Sequence, residues 1–239
     1  MMRPNWIASI VLLGVLGLCV LWLRVGLIGA DQWPIRWLDV EGDLKRTSAS
    51  QIRAAAASPA ASGFFAVDLH AVREAVESLP WVARAEVGRH WPDALRVAVT
   101  EHRPVARWND DGLFSDGGEV FRVDGSEGMQ GLARLYGPDS RRLDVLERWQ
   151  TMRRQLNSIG MDIDELRLDR RGAWEATLDN GVRLVLGRES LELRLQRYIA
   201  VHEAIRARER RPSVIDMRYT NGLAVRWAGG DREEEVNHG

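Results

Sequence analysis

The hydrophobic and polar positions of this chain fall into three regimes. From Trp6 to Leu23 the sequence WIASIVLLGVLGLCVLWL runs eighteen residues without a charge. That reaches the lower bound, about 17–25 residues, for a helix that crosses a bilayer. Trp6 and Trp22 stand near its two ends, where an aromatic belt places them, and Arg24 can snorkel to the headgroups. A cleaved signal peptide is the rival, with LIGA (27–30) as its cleavage site. The run is longer than the roughly 7–15 residues of a signal core, so an uncleaved span over 6–28 is expected. Basic residues flank the run on both sides, so the positive-inside rule does not fix its orientation. The rest of the chain holds no second apolar run of this length and reads as one extramembrane body.

The second regime mixes helix and strand periods. Ile35 to Val40 has strand character and Glu41-Gly42-Asp43 turns it. Ser48 with Gln51 three residues on makes a capping box for a helix that Pro59 and Gly63 end. Asp68 can cap a second helix, in which Leu69, Val72, Val76 and Leu79 share a face and which Pro80 stops. WVARAEVGR and ALRVAVTEH are strands on either side of HWPDA; in the second, Leu95, Val97 and Val99 alternate with Arg96, Ala98 and Thr100. The order is β-α-α-β-β over 33–103.

The third regime, 104–228, is richer in strands. PVARWND, GLFSD, EVFRV and LARLYGP are short strands broken by Asp and Gly turns. A helix from Asp139 stops at Gly160, with Leu146, Trp149, Met152, Leu156 and Ile159 on one side. The strand IDELRLDRR leads to a hairpin, AWEATLDNGVRLVLG. The last helix, from Ser190 to Arg211, carries the stripe Leu191, Leu195, Tyr198, Ile199, His202 and Ile205, with an arginine-rich last turn that suits the helix dipole. Fold class is therefore α+β: one span, a β-α-α-β-β domain, and a mixed sheet with two flanking helices.

DMRYTNGLAVRW (216–227) reads as a closing hairpin, followed by a flexible acidic tail over 229–239. A two-residue loop at Asn221-Gly222 would mix the faces. A three-residue loop, 220–222, pairs Tyr219 with Leu223, Met217 with Val225 and Ile215 with Trp227, and needs a left-handed Gly222. The same logic at 179–181 pairs Leu178 with Val182, Ala176 with Leu184 and Trp174 with Leu186. A hairpin in that place leaves an unpaired strand edge, which invites aggregation.

Composition narrows the chemistry. Of 239 residues, 45% are hydrophobic and 28% charged, with a net charge of −1, so no overall field attracts nucleic acid. Basic residues are almost all arginine, with Lys45 the only lysine. Cys19, in the apolar run, is the only cysteine, which leaves no disulfide and no thiol nucleophile in the body. The five histidines make no metal-spaced pair, and there is no nucleophile elbow, phosphate loop or dinucleotide fingerprint. DIDE (162–165) reads as a solvated turn and RARERR (206–211) as a solvated helix end. No cofactor, metal, small-molecule substrate or enzymatic activity is expected.

Several motifs together resemble the FtsQ/DivIB family of bacterial division proteins: FFAVDL, LPWVARAEVGRHWPDALRVAVTEHRPVARW, LYGP, RRGAWEATLDNG and DMRYTNGLAVRW. The resemblance covers Trp33 to Trp227 and accounts for Trp81, Trp91 and Trp108. It implies a short cytoplasmic tail (1–5), one inner-membrane helix, a POTRA domain and then a β domain, both periplasmic. It also implies a non-enzymatic scaffold at the division septum that binds FtsB and FtsL and links early and late division proteins. By the same resemblance, FtsB adds a strand at the last strands of the β domain, and arginines pair with its acidic residues. The residues carried over are Arg218, Tyr219 and Trp227, with Arg171 upstream; Arg170 is an equal neighbour. The competing reading is a POTRA-bearing accessory of protein transport or outer-membrane assembly. It expects a transmembrane barrel or a tandem POTRA array, and the sequence has neither. A periplasmic hydrolase or binding protein would need convergent polar residues, and none stands out.

Overall fold

The computed structural model describes residues 6–27, 33–229 and 233–237. Residues 1–5, where the cytoplasmic tail is expected, lie outside them. Helix α1 (Trp6–Leu27) is 22 residues long. Its side chains are described from Ile10 to Leu21 and all are exposed. Among the described residues no helix is long and apolar enough to cross a membrane. The anchor expected over 6–28 therefore stands on its sequence. The chain divides into two compact units between His102 and Arg103, one residue before the expected boundary.

In the first unit, β1 (Trp37–Glu41), α2 (Ala49–Ala60), α3 (Leu69–Glu77), β2 (Val82–His90) and β3 (Ala94–Glu101) follow the expected order. The sheet runs β1-β3-β2, with β1 parallel and β2 antiparallel to β3. Ser48 caps α2 with the full capping box: its hydroxyl accepts from the Gln51 amide (3.2 Å) and the Gln51 side chain accepts from the Ser48 amide (2.8 Å). Pro59 does not stop the helix. It sits inside the last turn, and the chain leaves at Ala61 before a left-handed Gly63. Ile52, Val72, Val76, Leu95 and Val97 are fully buried between helices and sheet. Glu101, at the end of β3, accepts backbone N–H bonds from Lys45 (2.9 Å), Arg46 (3.0 Å) and Thr47 (2.6 Å), which pins the approach to α2. Burial opposes its ionisation, but these donors prevail and hold its pKa below the usual value.

The second unit contains β4 (Pro104–Trp108), β5 (Gly112–Ser115), β6 (Val120–Arg122), β7 (Ala133–Tyr136), α4 (Arg142–Leu156), β8 (Ile163–Leu168), β9 (Trp174–Leu178), β10 (Arg183–Gly187), α5 (Leu191–Arg206), β11 (Pro212–Asp216), β12 (Gly222–Trp227) and β13 (Glu233–Asn237). All ten strands form one mixed sheet, ordered β13-β12-β11-β10-β9-β8-β7-β4-β5-β6. Residues in register across it, Leu135, Leu166, Ala176, Leu184, Ile215 and Val225, are almost wholly buried. They share one core with Leu146, Trp149 and Met152 of α4 and Leu195, Tyr198 and Ile205 of α5. The next positions along form a polar row on the other face: Arg134, Glu165, Thr177 and Arg183. There Arg134 pairs with Asp164 at 2.7 Å and Arg167 with Glu165 at 3.0 Å.

The two Asn-Gly turns behave differently. At 179–181 the expected loop forms: the Leu178 amide donates to the Val182 carbonyl at 2.9 Å, Gly181 is left-handed, and Ala176 faces Leu184. A bulge then places Gly187, not Leu186, opposite Trp174. At the closing hairpin the register is two residues away from expectation. Ile215 faces Val225, Asp216 faces Ala224, and five residues, 217–221, make the connection. Gly222 is the first residue of β12 and is not left-handed. The cause is Met217, whose amide donates to the Val185 carbonyl (2.9 Å), so the chain stays on β10 past the point where a tight hairpin would turn. A shift by an even number keeps the same side chains inward, so the apolar pattern alone does not separate the two registers.

Two further expectations are corrected. The last helix ends at Arg206, so Arg208 to Arg211 form a loop into β11 rather than a helical turn. The acidic tail is not flexible throughout, because Glu233–Asn237 pairs antiparallel with β12 as a tenth strand.

Glu101→Gln should lower the stability of the first unit by about 1–2 kcal/mol at neutral pH, because a charged acceptor for three backbone donors is lost. The folded pKa is depressed, so the contribution is present above the unfolded value near 4.5 and is lost as pH falls through the folded value. Thermal unfolding of both proteins at pH 7 and pH 3 should show a difference at pH 7 that shrinks at pH 3.

Candidate partner-docking edge

The last turn before β12 is held from outside by two arginines of α5. Arg197 donates from Nη1 to the carbonyls of Tyr219 (2.9 Å) and Gly222 (3.1 Å), and from Nη2 to that of Thr220 (2.8 Å). Arg194 donates to the Leu186 carbonyl and reaches that of Arg218 at 3.4 Å. A five-residue connection would otherwise leave these carbonyls to water. A planar guanidinium, with several donors in a fixed fork, suits such a cluster of acceptors. Neither arginine was expected as a functional residue. The available signal was their spacing: three apart on a helix, each one residue before a buried member of the apolar stripe, Leu195 and Tyr198.

Arg218 sits in this turn and is already paired. Its Nε and Nη2 bind the Asp216 carboxylate at 2.9 and 2.6 Å, and its own amide donates to the same side chain at 3.0 Å. Partial burial works against the Asp216 charge, yet Arg218 outweighs it and lowers the carboxyl pKa; Arg218 is raised in return. The guanidinium stays largely open to solvent, so it can meet a second acid without leaving Asp216. Tyr219 follows, 46% exposed, while its carbonyl is fixed by Arg197. An aromatic ring presented on a clamped backbone loses little entropy when it packs against a partner.

The other two expected residues are placed differently. Trp227 is 6% exposed and belongs to the core with Val225 and Met217, so it packs β12 down rather than facing a partner. Sharing a face with Tyr219 was expected, and the register shift removes that relation. Trp227 pairs with Pro212 at one end of the sheet, whereas Tyr219 lies at the other. Arg171 is exposed in the β8–β9 turn, where its amide donates to Asp169 at 2.8 Å. That turn lies at the Tyr219 end of the sheet, three strand spacings from β12, or about 14 Å. Arg171, Arg218 and Tyr219 thus border one end of the sheet, and Trp227 stands apart.

β12 itself is paired on both sides. β11 lies along one edge, and β13 runs antiparallel along the other with Arg226 opposite Glu233, Ala224 opposite Glu235 and Gly222 opposite Asn237. The bare edge expected at the chain end is therefore covered by the chain itself.

Comparison with known proteins gives matches along most of the sequence. The family model described as cell division protein FtsQ/DivIB, C-terminal, matches residues 106–218, and that of the FtsQ-type POTRA domain matches 33–102. A cell division protein FtsQ from Xanthomonas campestris pv. campestris is 38% identical over 219 residues, covering 92% of this chain and 79% of that one. FtsQ of Aliivibrio fischeri is 34% identical over 220 residues (90% and 86%), and that of Allochromatium vinosum 38% over 226 (91% and 88%).

Trp227→Ala should cost about 3–5 kcal/mol of stability, as expected of a buried aromatic. Arg197→Ala should cost about 1–3 kcal/mol by freeing three carbonyls. Chemical denaturation of each variant checks both values.

Proposed function

Because the chain belongs to the FtsQ/DivIB family of cell division proteins, we propose that it is a scaffold of the division machinery whose second unit docks FtsB, together with FtsL, at the β12 end of its sheet. The observation that carries this reading is the clamped turn: an exposed Tyr219 and a solvent-facing Arg218 on a backbone fixed by Arg197, beside the last strands of the sheet. Strand addition supplies main-chain hydrogen bonds, and side chains beside the strand supply selectivity. Arg218 meets an acidic side chain of the partner, and Arg171 offers a second cation farther along the same end. Trp227 acts from beneath, as the residue that keeps β12 seated.

In this reading the chain performs no chemistry on a substrate. Helix α1 is the membrane anchor. That reading rests on the eighteen uncharged residues from Trp6 to Leu23. Both compact units then lie in the periplasm, and the first directs the protein to the septum while the second connects it to its partners.

Tyr219→Ala in the full chain should weaken binding of the FtsB periplasmic segment about tenfold or more while thermal stability stays within a few degrees. Unchanged affinity in a titration would remove this docking site. Depletion in the source bacterium should give filaments with segregated DNA and no constriction; normal division after complete loss would contradict the scaffold reading.

A further inference from the structure

The strand that covers β12 has the marks of a replaceable one. β13 is five residues long, and three of them, Glu233, Glu234 and Glu235, carry the same charge. Glutamate is depleted in strands, and like charges crowded on a short segment disfavour it further. Among the described residues β13 pairs on one side only, and it is the terminal strand of the sheet order. It follows β12 after five residues, 228–232, with Gly229 left-handed, so the tether is short. A short tether gives an effective concentration of about millimolar, enough to keep a weak strand in place. Its five register pairs span Gly222 to Arg226, the stretch of β12 that an incoming strand needs.

We propose that residues 233–237 are an internal stand-in for the partner. They hold the β12 edge until an extended acidic segment of another protein displaces them, and that segment then takes the same antiparallel register. This rests on the docking reading above and adds to it a competition within the chain. Backbone hydrogen bonds are exchanged one for one, so the balance is set by side chains and by tethering. A partner strand with better strand-forming residues wins the first and lacks the second, which makes occupancy depend on partner concentration. When no partner is present, the glutamates also blunt an edge that would otherwise recruit other chains.

The test uses three forms of the full chain, each carrying Cys19→Ser: intact, ended after Gly229, and carrying Ala224→Cys with Glu235→Cys. Those two positions face each other in register. An oxidised pair locks the tail in place. The FtsB periplasmic segment is titrated into each. The shortened form should bind about fivefold tighter than the intact one. The oxidised form should bind at least tenfold weaker than its own reduced state. Equal affinity in all three forms, with binding intact, overturns the competition and leaves the docking reading standing elsewhere on the protein. Absence of binding in every form removes the docking reading and the competition with it.

Discussion

A sheet edge presents a row of N–H and C=O groups that must find a partner, and the second unit is organised around that requirement. Its ten-stranded sheet has two ends. At one, β6 has three residues and offers little to pair with. At the other, β12 is six residues long and buried along most of its length, and β13 covers it. A long, well-seated edge is a hazard when bare and a binding site when a suitable strand arrives. In the proposed reading the same backbone groups serve both outcomes, so the covering strand bears on docking as well as on solubility.

The clamp on α5 gives that edge its shape. The turn between β11 and β12 is too long to close by its own hydrogen bonds in the manner of the 179–181 loop. Arg197 closes it from outside by gathering three carbonyls, and Asp216 gathers Arg218 from within. The result is a stiff platform that presents Tyr219. Rigidity of this kind reduces what must be ordered on docking, so more of the contact energy is available to the complex. The first unit uses the same device in reverse: there Glu101, an anion, gathers three backbone N–H groups.

Much of this was legible in the residues. The capping box at Ser48 and Gln51, the cap at Asp68, the alternation of Leu95, Val97 and Val99, and the apolar stripes of α4 and α5 all declare themselves by local period. Gly181 does too, since its turn closes with neighbours only. The register of the last hairpin was not legible, because a shift of two leaves the same residues inward and the deciding bond is from Met217 to Val185, thirty-two positions back. Trp227 falls on the inward, apolar face in either register, and it was the family resemblance, not the pattern, that pointed it at a partner. Arg194 and Arg197 were hidden for another reason: an arginine on a helix is usually solvated, and only the tertiary fold brings carbonyls to it. The tail reads as flexible because it is short and acidic. Strand pairing supplied by β12 overrides that local preference.

The central claim is that the partner enters at β12 in the place of β13. Hydrogen–deuterium exchange of the full chain, with and without the FtsB periplasmic segment, tests it most directly. The account predicts that binding slows exchange across 217–227 while 233–237 becomes faster. Protection that leaves 217–227 unchanged and falls on another surface, such as the β6 edge, would contradict it.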